Sequence, residues 1–135
     1  MKLNLARGLI GLVMLWNLQA AIVFLVWPER YVAAFELLGI ASMELLRGLG
    51  VLFVIWNVPY AVALWHPIRY RVSLYESLAM QIIALVGETA IFLSLQENYE
   101  VLKETILRFI LFDTVGLSLL IIALLITRKT MRNPN

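Results

Sequence analysis

Four long apolar segments dominate the sequence and restrict what the chain can fold into. They run over residues 3–27, 41–65, 72–95 and 105–127. An apolar helix needs about 20 residues to cross the hydrocarbon layer of a bilayer. Each segment is long enough, and the connections are too short to form a separate soluble domain. The sequence therefore predicts an all-α fold, a single-domain integral membrane four-helix bundle.

Composition supports this prediction. Hydrophobic residues make up 62% of the 135 residues and charged residues only 15%. Soluble domains are roughly 45–50% apolar and about 25% charged, and a small soluble fold cannot bury so much apolar surface. The first segment follows Lys2 and could be mistaken for a signal peptide. It is too long for one, and no small-x-small cleavage site precedes Pro28, so we interpret it as the first span.

The connector between the first two segments, residues 28–40, has its own pattern. Pro28 suits the first position of a helix and Gly39 suits the position after its end. Apolar residues recur there at helical spacing, namely Tyr31, Phe35 and Leu38. The pattern favours a short amphipathic helix lying at the membrane interface, with an extended loop as the alternative.

Lysine and arginine are distributed unequally between the two sides of the predicted bundle. The side with both termini and the middle loop carries seven: Lys2, Arg7, Arg69, Arg71, Arg128, Lys129 and Arg132. The other side carries at most four: Arg30, Arg47, Lys103 and Arg108. Because cytoplasmic loops are enriched in basic residues, this bias predicts a multi-pass protein of the cell inner membrane with cytoplasmic termini.

The chain lacks the residues that several kinds of catalytic and metal-binding site require. The chain contains no cysteine and a single histidine, which excludes disulfides, thiolate metal sites and a bis-histidine haem within one chain. No nucleophile–base pair, glycine-rich phosphate loop or H-E-x-x-H motif is present. We therefore predict no catalytic residue and no metal site, identify no cofactor, and favour a non-enzymatic role. The scattered basic residues form no nucleic-acid-binding stripe.

The strongest functional signal is a set of polar and ionisable residues inside the predicted spans. Such residues are costly in hydrocarbon, so they usually face the bundle interior and find partners. One group lies in the half of the bundle away from the termini: Asn17, Gln19, Glu44, Arg47, Glu88, Arg108 and Asp113. An inner polar layer lies in the half that holds the termini: Arg7, Asn57, Glu76 and Gln81.

Estimated depths along the helices pair these charges by level. The predicted cross-helix pairs are Arg7 with Glu76, Glu44 with Arg108, and Arg47 with Glu88 or Asp113. Glu44 and Arg47 are also i, i+3 neighbours, so a bridge within one helix competes with the cross-helix pairs. The sequence leaves both arrangements open.

The third segment has a polar stripe. Ser77, Gln81 and Glu88 are spaced by 4 and 7, which places them on one helix face turned away from lipid. Gly87 beside Glu88 suggests close approach of another helix. Buried polar pairs can simply fix helix register. Alternatively, three acids against two bases leave one formal negative charge in the outer group, which a proton or a bound cation would neutralise.

The first half of the chain resembles the DoxX-like group of small four-helix membrane proteins. The residues that carry the resemblance are Arg7, Gly8 and Gly11, then Pro28, Tyr31, Phe35 and Gly39, then Glu44-Leu45-Leu46-Arg47-Gly48. It covers residues 1–65. The chain lacks the lysine often found after the first helix, and it carries its own segment from Trp56 to Tyr60. The resemblance implies the four-helix fold, and some relatives take part in quinone-linked sulfur oxidation.

Three functions follow as expectations. The first is a non-enzymatic accessory or structural subunit of a larger membrane complex, respiratory or photosynthetic. The second is a unit that binds or transports a small solute, a proton or a quinone headgroup through the outer carboxylate and arginine group. The third and weakest is a DoxX-like, quinone-linked oxidoreductase component. The expected partners are the lipid bilayer and a membrane protein or a second copy of the chain, with no nucleic acid.

Overall fold

The computed structural model describes residues 2–132, and this part of the chain is helical without strands. Its helices are α1 (Lys2–Val26), α2 (Glu29–Val32), α3 (Ile40–Trp65), α4 (Arg71–Ser94) and α5 (Glu100–Arg132). The four long helices are each long and apolar enough to cross a membrane. The predicted all-α four-helix bundle is confirmed.

The helices differ from the predicted segments mainly at α5. This helix has 33 residues and begins at Glu100, five residues before the predicted span. The residues of this extra turn, including Glu100, Leu102, Lys103 and Glu104, favour helix, so the helix continues past the end of the apolar stretch.

The connector is less helical than its pattern predicts, because α2 is only four residues long. Two residues after it adopt the left-handed conformation, Glu36 with φ 52° and Gly39 with φ 82°. These conformations end helical geometry and turn the chain into α3, and glycine adopts them without a steric penalty. The predicted short helix therefore exists only as a single turn followed by a compact reversal.

The long helices are arranged in the cyclic order α3, α1, α5, α4. α1 packs extensively along α3 and also along α5, α4 packs on α5, and α3 and α4 share the smallest interface of the four. The side-chain hydrogen bonds between α3 and α4 within the described residues come from Tyr60.

The half of the bundle that holds residue 2, residue 132 and the α3–α4 turn is called here the terminal half, and the other is called the connector half. A buried core fills the terminal half: Ala6, Ile10, Val13, Tyr60, Ala63, Leu74, Leu78, Leu120 and Ala123. Close packing here closes the bundle from this side. The space for a site lies in the connector half.

Candidate functional site

A cavity of about 620 Å³ lies inside the connector half of the bundle. All four long helices line it, together with Tyr31 from α2. Small-molecule sites in proteins typically occupy about 300–1,000 Å³ and combine apolar walls with a few polar groups. The cavity has this composition, since aromatic and aliphatic side chains surround a small set of amides and acids.

A hydrogen-bonded chain across three helices forms the polar end of the cavity. The Tyr60 hydroxyl of α3 donates to Gln81 Oε1 of α4 at 2.6 Å, and Gln81 Nε2 donates to Asp113 Oδ1 of α5 at 2.7 Å. Tyr60 and Gln81 are buried. A carboxylate only accepts hydrogen bonds, so the Gln81 amide must turn its NH₂ group toward Asp113 and its oxygen toward Tyr60.

Two acids meet at this polar end. Glu88 lies about two turns beyond Gln81 on the same side of α4, and its side chain lies beside that of Asp113. The buried Glu88 Oε2 atom has no hydrogen-bond partner within residues 2–132. Among the described residues, the one basic residue that lines the cavity is Arg108; its side chain is 72% exposed, and its Nη2 lies 3.7 Å from Glu104 Oε2 on the same helix. Neither acid forms a salt bridge within the described chain.

Aromatic rings close the end of the cavity next to the connector. Phe24 is buried and contacts four rings edge-on, at centroid distances of 4.6–6.4 Å: Tyr31, Phe35, Phe53 and Phe109. We call these five residues the aromatic cap. Thr105 Oγ1 donates to the Ala34 carbonyl at 2.7 Å, which ties the connector to α5 beside the cap. The cavity is therefore separated from the connector end by packed rings.

We place the opening of the cavity at the side of the bundle, between α3 and α4, because these two helices share its smallest helix–helix interface. The rim carries exposed apolar side chains from both helices, Leu52 (57% exposed), Ile83 (66%) and Ile91 (52%). A methyl group added at Gly87 would meet no heavy atom within 4 Å. Gly87 would permit another helix to approach closely, but no helix of the described chain does, and the glycine lies beside the gap between two weakly packed helices.

The structure brings together five of the seven residues predicted in the outer group. The cavity is lined by Asn17, Gln19, Glu88, Arg108 and Asp113. Glu44 and Arg47 lie outside it, on an exposed face of α3, where they form the i, i+3 salt bridge with each other. Neither the Glu44–Arg108 pair nor a pair from Arg47 to a cavity acid is present.

The predicted inner layer is divided among different environments. Gln81 belongs to the cavity, whereas Asn57 Nδ2 donates to the Phe53 carbonyl of its own helix at 2.7 Å. Arg7 does not pair with Glu76, which is exposed; its Nε donates to the Leu64 carbonyl at 2.9 Å. Leu64 lies in the last turn of α3, where carbonyls lack partners within the helix, so they accept from a long basic side chain.

Sequence reasoning missed Tyr60 and the aromatic walls as parts of the site. The sequence marks Tyr60 only as the end of the segment from Trp56 to Tyr60, and its hydroxyl proves to be the anchor of Gln81. Trp16 precedes Asn17, and Phe112 precedes Asp113. The two rings pack edge-on at 5.9 Å across α1 and α5. An aromatic residue directly before an intramembrane polar residue on two helices was the available signal.

The chain matches no protein-family model, no curated protein and no solved structure. The resemblance to the DoxX-like group stays a prediction. The fold and the site by themselves define a four-helix protein with helices of membrane-spanning length and a ligand-sized cavity lined in part by exposed apolar side chains.

Proposed function

We propose that this protein binds a small amphipathic molecule that enters sideways from the lipid bilayer. The observation that carries the proposal is the cavity of about 620 Å³ with a polar end built from Gln81, Glu88 and Asp113, and an opening between α3 and α4. This favours the binding function over the accessory-subunit function, which stays a prediction, as does the quinone-linked oxidoreductase role.

Unpaired polar atoms at the polar end support a bound headgroup. Glu88 Oε2 and Asn17 Nδ2 are buried and without a hydrogen-bond partner in the described chain. Leaving a buried polar group unpaired costs about 1–3 kcal/mol, so a ligand that pairs with it recovers this free energy on binding. One acceptor and one donor then face the same ligand.

The closed ends support lateral entry. The aromatic cap lies at one end of the cavity and the buried core of the terminal half lies beyond the other. Molecules that partition into lipid reach the gap between α3 and α4 without crossing either end. The exposed apolar rim at Leu52, Ile83 and Ile91 suits the acyl-chain region, where such molecules concentrate.

Blocking the opening tests the proposal. Gly87→Leu places a side chain in the open space at the rim, and Gly48→Leu adds the same side chain on α3 where a methyl group also meets nothing within 4 Å. Gly48 does not line the cavity. The assay is energy transfer from Trp16 and Trp56 to dansyl-labelled dodecyl probes (ammonium, N-acetyl and carboxylate) in lipid nanodiscs.

We expect saturable energy transfer for at least one probe, and a loss of about tenfold or more in its affinity in Gly87→Leu, equivalent to about 1.4 kcal/mol. Gly48→Leu should bind as the unmodified chain does. Absence of saturable transfer for all three probes would contradict the proposal, as would equal binding by the two leucine variants.

For the membrane placement, we propose a multi-pass protein of the cell inner membrane with both termini in the cytoplasm, supported by the seven-to-four basic bias. The chain contains no cysteine, so single cysteines report topology cleanly. Asn98→Cys in the α4–α5 loop should react with an impermeant maleimide in intact spheroplasts, whereas Thr130→Cys should react only after permeabilisation. The reverse pattern would contradict this orientation.

A further inference from the structure

Resting on the proposed function, we infer that the ligand is a lipophilic amine. Its ammonium group lies between Glu88 and Asp113, and its apolar part lies among the aromatic and aliphatic walls of the cavity. The cavity alone fits many small molecules, and the charges and hydrogen-bonding groups in it select this class.

The two acids at the polar end of the cavity lack a salt-bridge partner in the described chain. Arg108, which lines the cavity, and Arg47, which lies outside it, each have an acid of their own helix as partner: Glu104 for Arg108 and Glu44 for Arg47. Glu88 and Asp113 have no such partner in the described chain. Two neighbouring carboxylates in an apolar interior repel each other unless a positive charge lies close to both. A proton or a cation placed between the two acids relieves this repulsion.

Glu88 and Asp113 also have unused hydrogen-bonding capacity. Asp113 accepts from Gln81 Nε2 through Oδ1, and Glu88 Oε2 accepts nothing. The acids thus present unused acceptors, and a primary ammonium brings three donors. A ligand headed by a carbonyl or a carboxylate would bring acceptors that suit Asn17 Nδ2, but it would leave the charged acceptor Glu88 Oε2 unpaired.

Aromatic side chains form the walls of the cavity near the two acids. Trp16 and Phe112 face the cavity with their rings 5.9 Å apart, and Phe109 lines it one turn before Asp113. Aromatic faces attract cations, and in a site away from water this attraction reaches about 2 kcal/mol. A proton between the acids would neutralise charge as well, but it would leave the apolar space of about 620 Å³ without an occupant.

The test compares three dodecyl probes that carry the same dansyl group: a primary ammonium, its neutral N-acetyl derivative and a carboxylate. Binding is measured by tryptophan-to-dansyl energy transfer in nanodiscs of neutral lipid at pH 7. We expect the ammonium probe to bind about tenfold or more tightly than the N-acetyl probe, since charge-assisted hydrogen bonds exceed neutral ones. The carboxylate probe should bind most weakly.

The double variant Glu88→Gln/Asp113→Asn separates the site from simple partitioning into lipid. It should lose at least about fivefold of the preference for ammonium over N-acetyl, whereas Glu44→Gln, which neutralises an acid outside the cavity, should retain it. Circular dichroism and gel filtration check that the variants fold. If the double variant fails to fold, the single variants Glu88→Gln and Asp113→Asn are compared in the same way.

The outcomes distinguish the two proposals. Saturable binding of the N-acetyl probe as tight as that of the ammonium probe would overturn the amine class and leave the proposed function standing. A full ammonium preference retained by the folded variants that neutralise the cavity acids would overturn it too. No saturable binding of any probe would overturn the proposed function itself.

Discussion

Gly50 has the tightest surroundings of the glycines in the described chain, because α1 packs directly against α3 there. A methyl group added there would lie 2.8 Å from Leu25 Cγ, 3.1 Å from the Ala21 carbonyl oxygen and 3.1 Å from Phe24 Cβ. Gly48, on the same helix, offers a matched control, since a methyl group there meets nothing within 4 Å. We predict that Gly50→Ala destabilises the bundle and that Gly48→Ala does not.

The magnitude follows from these distances. Carbon atoms pack favourably at about 3.5–4.0 Å, so α1 and α3 must separate by roughly 0.7–1.2 Å to admit the methyl group at Gly50. A branch-point carbon and a backbone oxygen cannot move aside alone, which places the overpacking cost at about 2–3 kcal/mol, in the upper part of its usual range. The higher helix propensity of alanine, worth about 1 kcal/mol, favours both variants equally. It therefore cancels when they are compared.

The free energy of unfolding of each variant can be measured by titration with sodium dodecyl sulfate in mixed micelles, followed by tryptophan fluorescence. We expect Gly50→Ala to be about 2–3 kcal/mol less stable than Gly48→Ala. Equal stability of the two variants would refute the reasoning, because it would mean that the α1 and α3 backbones are not in contact at Gly50.

Two further predictions concern the site and its cap. Tyr60→Phe removes the donor to Gln81 Oε1, so the free energy of unfolding should fall by about 0.6–1.7 kcal/mol, from the average to the maximum measured for membrane hydrogen bonds. Binding of the ammonium probe should weaken as well. Unchanged titration and binding curves would contradict the role of the Tyr60–Gln81–Asp113 hydrogen bonds. Thr105→Val removes the hydrogen bond to the Ala34 carbonyl, so amide hydrogen exchange should rise in the connector. The control is Thr114→Val, which removes a hydroxyl that bonds only within its own helix and should leave exchange in the connector unchanged. A rise in both variants would contradict the role of the Thr105–Ala34 hydrogen bond.

The sequence predicts the helices because the bilayer constrains them so strongly. A chain that crosses hydrocarbon must satisfy its backbone within the segment, so length and hydropathy are sufficient to place four helices. The orientation of α4 was also predictable, since the spacing of Ser77, Gln81 and Glu88 lies on one face, and Ser77 and Gln81 are buried. Both inferences use only properties within one helix: its length and hydropathy in the first, and the spacing of its polar residues in the second.

The cavity could not be predicted, because hydropathy does not distinguish an apolar side chain that faces lipid from one that lines an internal space. Leu52 and Phe53 are neighbours of the same character, yet one lies at the exposed rim and the other belongs to the aromatic cap. Depth alone also misled the reasoning about Gln81. The estimate placed it on the opposite side of the midplane from Asp113, whereas in the structure Gln81 Nε2 donates to Asp113 Oδ1 at 2.7 Å between α4 and α5.

The start of α5 explains why the charge balance differs from the one that the sequence predicted. The predicted fourth span began at residue 105, so Glu104 was left out and Arg108 was available to Glu44. In the structure α5 begins at Glu100, which places Glu104 one helical turn before Arg108 on the same face. Arg108 and Arg47 then each have a local carboxylate partner, and the excess of one negative charge inside the bundle becomes two. The early start of α5 thus gives Arg108 a local carboxylate and leaves Glu44 to Arg47, so that neither Glu88 nor Asp113 has a salt-bridge partner in the described chain.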